Sequence, residues 1–119
     1  MKYETMLERF LGYVNFKTRS DANSKTIPST PEQKDFLRML KGQLEDLKLN
    51  DIVLNEENWF LTATLPANTN KPYDTIGFIS HVDTADFNVE GISPQIIENY
   101  DGEDIVLNKE KNIIMTTKE

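Results

Sequence analysis

His81 is the only histidine in the 119-residue chain, and Asp83 follows it two positions later. In an extended backbone side chains alternate faces, so Gly77, Ile79, His81 and Asp83 share one side and Ile76, Phe78, Ser80 and Val82 the other. A carboxylate two positions on can hold one imidazole nitrogen, fix the tautomer and leave the second nitrogen a better metal donor. The same triplet also describes a satisfied histidine at a strand end with an aspartate starting a turn, and H-x-D spacing alone leaves both open. Its place after an apolar run brings the two readings nearer to even, because open α/β sheets gather ligands at the carboxyl ends of their strands. Zinc needs three or four protein ligands, so a metal at His81 requires carboxylates converging from elsewhere.

Candidate donors lie downstream at Asp86, Glu90, Glu98, Asp101, Glu103 and Asp104. Asp86 to Gly91 imitates the front of a calcium loop. Ile97 stands at the twelfth position, where a bidentate glutamate is required, so calcium is rejected and these acids read as a solvated loop. The five glycines are scattered, which leaves no phosphate-cradling loop. There is no G-x-S-x-G, and Ser80 faces away from His81. The absence of cysteine removes disulfides, thiolate metal sites and cysteine nucleophiles, and fits a reducing cytoplasm. A net charge of −7 weighs against nucleic acid or an anionic membrane as partner. No stretch is long and apolar enough to cross a bilayer, and the charged, amphipathic start MKYETMLERF is unlike a signal peptide.

These residues need a frame. With 38% hydrophobic and 28% charged residues, the composition suits a globular domain. Tyr3, Leu7, Phe10, Leu11 and Val14 recur at helical spacing, so a helix is expected over 3–14, followed by a loop over 17–28. Thr30, Pro31 and Gln33 form the pattern of an N-cap, a first-turn proline and a capping box. Phe36, Leu37, Leu40, Leu44 and Leu47 then give one apolar stripe. Strands are expected at 52–54 and 59–65 around a polar turn, with Trp59 and Phe60 in the core. Residues 75–82 read as a strand buried on both faces. Shorter strands are expected at 93–99 and 105–107, divided by the Asp101-Gly102 turn. The order implies an α/β architecture with helices packed on a mixed sheet. Two helices cannot cover both faces of such a sheet, so the chain reads as the front of a larger fold.

Gly77-Phe78-Ile79-Ser80-His81-Val82-Asp83-Thr84, taken with Pro94-Gln95-Ile96-Ile97-Glu98-Asn99-Tyr100-Asp101-Gly102, resembles the di-zinc M20 metallopeptidases. Val14 to Ser20 is similar to that family's loop after the first helix, and Pro28 to Gln33 to the start of the second. The resemblance runs through essentially the whole chain. H-x-D is common to many members, whereas Glu98-Asn99-Tyr100-Asp101-Gly102 points to the tripeptide aminopeptidase branch. It implies that residues 1–119 are the N-terminal part of a zinc-exopeptidase-like catalytic domain. The rest of that domain and an inserted dimerisation-type domain would lie beyond them. It implies His81 as a ligand of one of two zinc ions and Asp83 as the catalytic aspartate that orients it. The family's bridging aspartate, paired glutamate, further acidic ligand and second histidine have no counterpart here. The implied activity is release of the N-terminal residue from tripeptides by a cytoplasmic enzyme that can be a homodimer. Residues 1–119 alone would be inactive, with at most one partial zinc site. Two rivals are a free-standing non-catalytic binding or structural module on the same scaffold, and another dipeptidase or deacylase of the family.

Overall fold

Helix α1 spans Met6–Tyr13 in a computed structural model that describes residues 6–118. Tyr3 and the rest of the expected first turn lie outside the described residues. α1 buries none of its own residues. What it contributes to the core comes at and after its end. The Tyr13 ring meets Phe36 edge-on at 5.4 Å, Phe16 lies 5.0 Å from the same ring, and Tyr13 Oη donates to Gln43 Oε1 at 2.5 Å.

Helix α2 runs from Pro31 to Asp46, beginning where the Thr30-Pro31 pair places it. Thr30 has the extended backbone of an N-cap, but no side-chain capping bond forms. Its hydroxyl donates instead to the Arg19 carbonyl at 2.9 Å, and the Gln33 amide also turns to that loop. The expected capping box is therefore replaced by tertiary bonds, because carbonyls of the neighbouring loop compete for the same side chains. Phe36 and Leu37 are buried, while Leu40, Leu44 and Leu47 of the same stripe are partly covered.

The end of α2 is closed by two reversed bonds: Leu49 N–H to Leu44 O at 3.2 Å and Lys48 N–H to Glu45 O at 2.9 Å. This is the Schellman pattern, which needs a left-handed residue, and Lys48 supplies it at φ 57°. A β-carbon is disfavoured there. Lys48→Gly is therefore expected to stabilise the chain by up to about 1 kcal/mol, read as a shift of the urea midpoint at unchanged slope.

Strands β1 (Asn50–Asn55) and β2 (Phe60–Thr64) pair antiparallel, with Leu54 opposite Leu61 and Asn55 opposite Phe60. Asn55 builds the turn: its side-chain oxygen accepts from Glu57 N–H at 2.8 Å and its carbonyl from Trp59 N–H at 2.6 Å. Trp59, at φ 59°, is buried against α2, with Lys34 Nζ 4.8 Å and Arg38 Cζ 5.0 Å from its ring. These cations lie one helical turn apart and gain from the face of the indole. Phe60, expected in the core, is exposed. Alternation decides this, since Leu61 and Ala63 turn to α2 and Phe60 must face away.

A second antiparallel pair joins β3 (Ile105–Asn108) to β4 (Ile113–Met115). β4 lies outside the strands expected from the sequence, although its signal is visible in the polar Lys109-Glu110-Lys111-Asn112 turn between two apolar runs. No strand forms over 93–99. The run 75–82, expected as a doubly buried strand, also forms no ladder: Phe78 is 94% exposed and Ile79 fully so. A central strand needs partners on both edges and layers on both faces. Each hairpin here satisfies its own ladder, and among the described elements α2 packs mainly against β1 and β2. The radius of gyration, 18.4 Å, exceeds the roughly 13.5 Å of a compact domain of this length. The chain is α/β, and its apolar run at 75–82 is not enclosed by its own elements.

Candidate functional site

The site is anchored at Thr84. Its N–H donates to the Thr18 carbonyl at 3.0 Å and its carbonyl accepts from Ser20 N–H at 2.9 Å. The result is a parallel bridge between Arg19 and Thr84. Two ion pairs extend the same contact, Arg19 with Asp86 and Lys17 with Glu90. The acids expected to form a solvated loop are thus partly neutralised by the loop after α1. All four side chains are well exposed, so each pair contributes about 0–1 kcal/mol and sets register more than stability.

One residue before Thr84, the Asp83 carboxylate reaches back to His81, with Oδ1 2.9 Å from Nδ1. A carboxylate only accepts, so Nδ1 carries the proton, and in the neutral imidazole Nε2 then holds the lone pair. Nε2 has no hydrogen-bond partner among the described residues, and the His81 side chain is 83% exposed. The imidazole is therefore oriented at one nitrogen and open at the other, as expected of a metal ligand with its outer partner. Ser80 bonds only the His81 carbonyl, at 3.5 Å, and plays no part with the ring.

A third donor does not join them. Among the described residues no group of three or more His, Asp or Glu side chains converges. Asp86 and Glu90 point to Arg19 and Lys17. Asp101 and Asp104 accept from the backbone N–H groups of Glu103 and Thr117. Zinc chemistry suits a neutral imidazole backed by a carboxylate, and this pair fits one corner of a tetrahedral site. The remaining corners need donors that these residues do not bring.

Three positions that build the site carry no site role in the sequence reading, where Gln33 figures only as part of a capping box. Thr18 and Gln33 are buried polar residues, and Arg19 holds both the bridge and an ion pair. The signal for Gln33 was its spacing: three and four positions before Phe36 and Leu37, it falls on the buried face of α2.

No family model matches the chain. Three similar curated proteins, each named Peptidase T, cover nearly all of it. The one from Fusobacterium nucleatum subsp. nucleatum is 61% identical over 118 residues, which is 99% of this chain and 28% of that protein. The Enterococcus faecalis protein is 52% identical over 98% of the chain, and the Latilactobacillus sakei protein 50% identical over 99%. Each of these two is matched over 29% of its own length. The chain therefore spans less than a third of the relatives it matches.

Proposed function

We propose, from the premise that this chain is homologous along almost its whole length to part of Peptidase T, that it carries one portion of a zinc aminopeptidase. The complete protein would release the N-terminal residue of tripeptides. The observation that supports a metal role is the pair itself: Asp83 holds His81 Nδ1 at 2.9 Å and leaves Nε2 open. His81 would be a ligand of one zinc ion, and Asp83 the residue that fixes its tautomer and ring orientation. Zinc, when bound, acidifies a water and polarises a scissile carbonyl. This chain's residues contribute one donor nitrogen and its alignment. The other ligands and the general base would come from the part of the catalytic domain outside residues 1–119.

The exposed run ending at His81 supports the same reading. Ile76, Phe78 and Ile79 would become a central strand once further strands and helices cover them. A cytoplasmic location and a homodimeric complete protein belong to the proposal.

The test uses the full-length protein with a free tripeptide, the matching dipeptide and an N-acetylated tripeptide. Cleavage of the free tripeptide only, lost with 1,10-phenanthroline and restored by zinc, is the expected result. Chelator-resistant hydrolysis would sink the zinc reading, and preference for the dipeptide or the acylated substrate would sink the tripeptidase one. The 119-residue chain alone should show no turnover and weak zinc binding by calorimetry.

A further inference from the structure

Gln33 lies in the first turn of α2, fifty residues from Asp83 in sequence, yet it is 4% exposed and its amide nitrogen is committed to the neighbouring loop. Nε2 lies 3.4 Å from the Thr18 carbonyl, 3.2 Å from the Arg19 carbonyl and 3.1 Å from Ser29 Oγ. Carbonyls only accept, so the nitrogen end of the amide must face the loop. The Thr18 carbonyl that receives this amide also receives Thr84 N–H at 3.0 Å. Thr84 N–H belongs to the peptide unit whose carbonyl is that of Asp83. Fixing that unit fixes one side of the Asp83 backbone, from which the carboxylate reaches His81.

We propose that Gln33 is a positioning residue for the His81–Asp83 pair, acting through the Thr18–Arg19–Ser20 segment and the Thr84 bridge; this rests on reading His81 as a ligand that Asp83 orients. α2 is the rigid part, anchored by Phe36 where the rings of Tyr13 and Phe16 meet it. Gln33 and the Thr30 hydroxyl, which donates to Arg19 O at 2.9 Å, transmit its position to the loop. The loop passes it to Thr84 by two backbone bonds. Arg19–Asp86 and Lys17–Glu90 hold the register beyond the bridge. His81 is so exposed that no packing fixes its ring, which leaves the carboxylate as the group that does so. An outer partner of a metal ligand acts by setting orientation, and a misplacement of about 1 Å can cost roughly 10²-fold in rate.

Because His81 is the only histidine, a ¹⁵N-labelled chain shows one pair of imidazole nitrogens, and their shifts report the tautomer above the histidine titration range. In the wild type the Nδ1–H form should dominate. In Gln33→Leu the ratio of Nδ1–H to Nε2–H forms should fall roughly threefold to tenfold, since a charge-assisted bond is weakened. Thr30→Val, which removes only the hydroxyl bond to Arg19, should move it the same way by less. Leu37→Val perturbs the core without touching the loop and should leave the ratio unchanged. An unchanged ratio in Gln33→Leu, or an equal change in Leu37→Val, overturns the positioning role. Asp83→Ala separates the two layers of inference. If it too leaves the tautomer unmoved, the His81–Asp83 pairing fails, and the positioning role with it. In the full-length protein Gln33→Leu should lower kcat about tenfold with little change in KM. Should that protein prove not to cleave peptides while the tautomer still responds to Gln33, the function is refuted and the positioning role stands.

Discussion

If the full-length protein is the zinc aminopeptidase proposed above, replacing His81 by alanine should remove one bound zinc per active site and lower tripeptide turnover by about 10³-fold or more. A metal ion supplies several kcal/mol of transition-state stabilisation, and about 1.4 kcal/mol is a factor of ten in rate. Residues 1–119 hold no second imidazole to take its place, because His81 is their only histidine. Asp83→Ala should differ in kind. The ligand nitrogen remains while its orientation is lost, so about 10–100-fold in activity or metal affinity is expected. Metal content by atomic absorption, measured beside kcat, separates the two variants. Wild-type turnover in His81→Ala refutes the ligand role. Full activity in Asp83→Ala refutes the orienting role.

Phe36→Ala should be the most damaging change to the fold of the chain itself. Only Phe36, Leu37 and Trp59 are buried apolar side chains among the described residues. Phe36 is where α1's end, the loop after it and α2 meet, through the rings of Tyr13 and Phe16. Truncating a buried phenylalanine costs about 3–5 kcal/mol, and each aromatic pair lost adds about 0.5–1.5 kcal/mol. Small domains are stable by only about 5–15 kcal/mol, and this one encloses little apolar surface. The expected result is loss of a cooperative thermal transition followed by far-UV circular dichroism. Phe60→Ala is the matching control. That ring is exposed on the outer face of β2, and its removal should stay within about 0.5 kcal/mol. Equal loss in both variants would place the core elsewhere.

Local interactions made part of this molecule legible from its sequence. Thr30-Pro31 sets the start of α2, because a proline at the first helical position sacrifices no hydrogen bond. Asn55 fixes the turn into β2, because its short side chain bonds backbone N–H groups two and three residues on. His81 and Asp83 meet because two positions of extended backbone put both side chains on one side. Each of these contacts spans four residues or fewer, within reach of spacing arguments.

The tertiary structure decided what those elements do to one another. Gln33 reads as half of a capping box, yet its amide holds a loop fourteen and fifteen residues earlier. Asp86 reads as part of a solvated acidic loop, yet it pairs with Arg19 across 67 residues. Phe78 and Ile79 read as buried, and in this chain they face solvent, because burial depends on neighbours that a strand does not carry in its own sequence. The start of α2, the Asn55 turn and the His81–Asp83 pair are legible along the chain, since sterics and short hydrogen bonds fix them. Where that pair stands, tied through Thr84 and Thr18 to the first turn of α2, was decided by bonds between distant segments, and those exist only once the chain has folded.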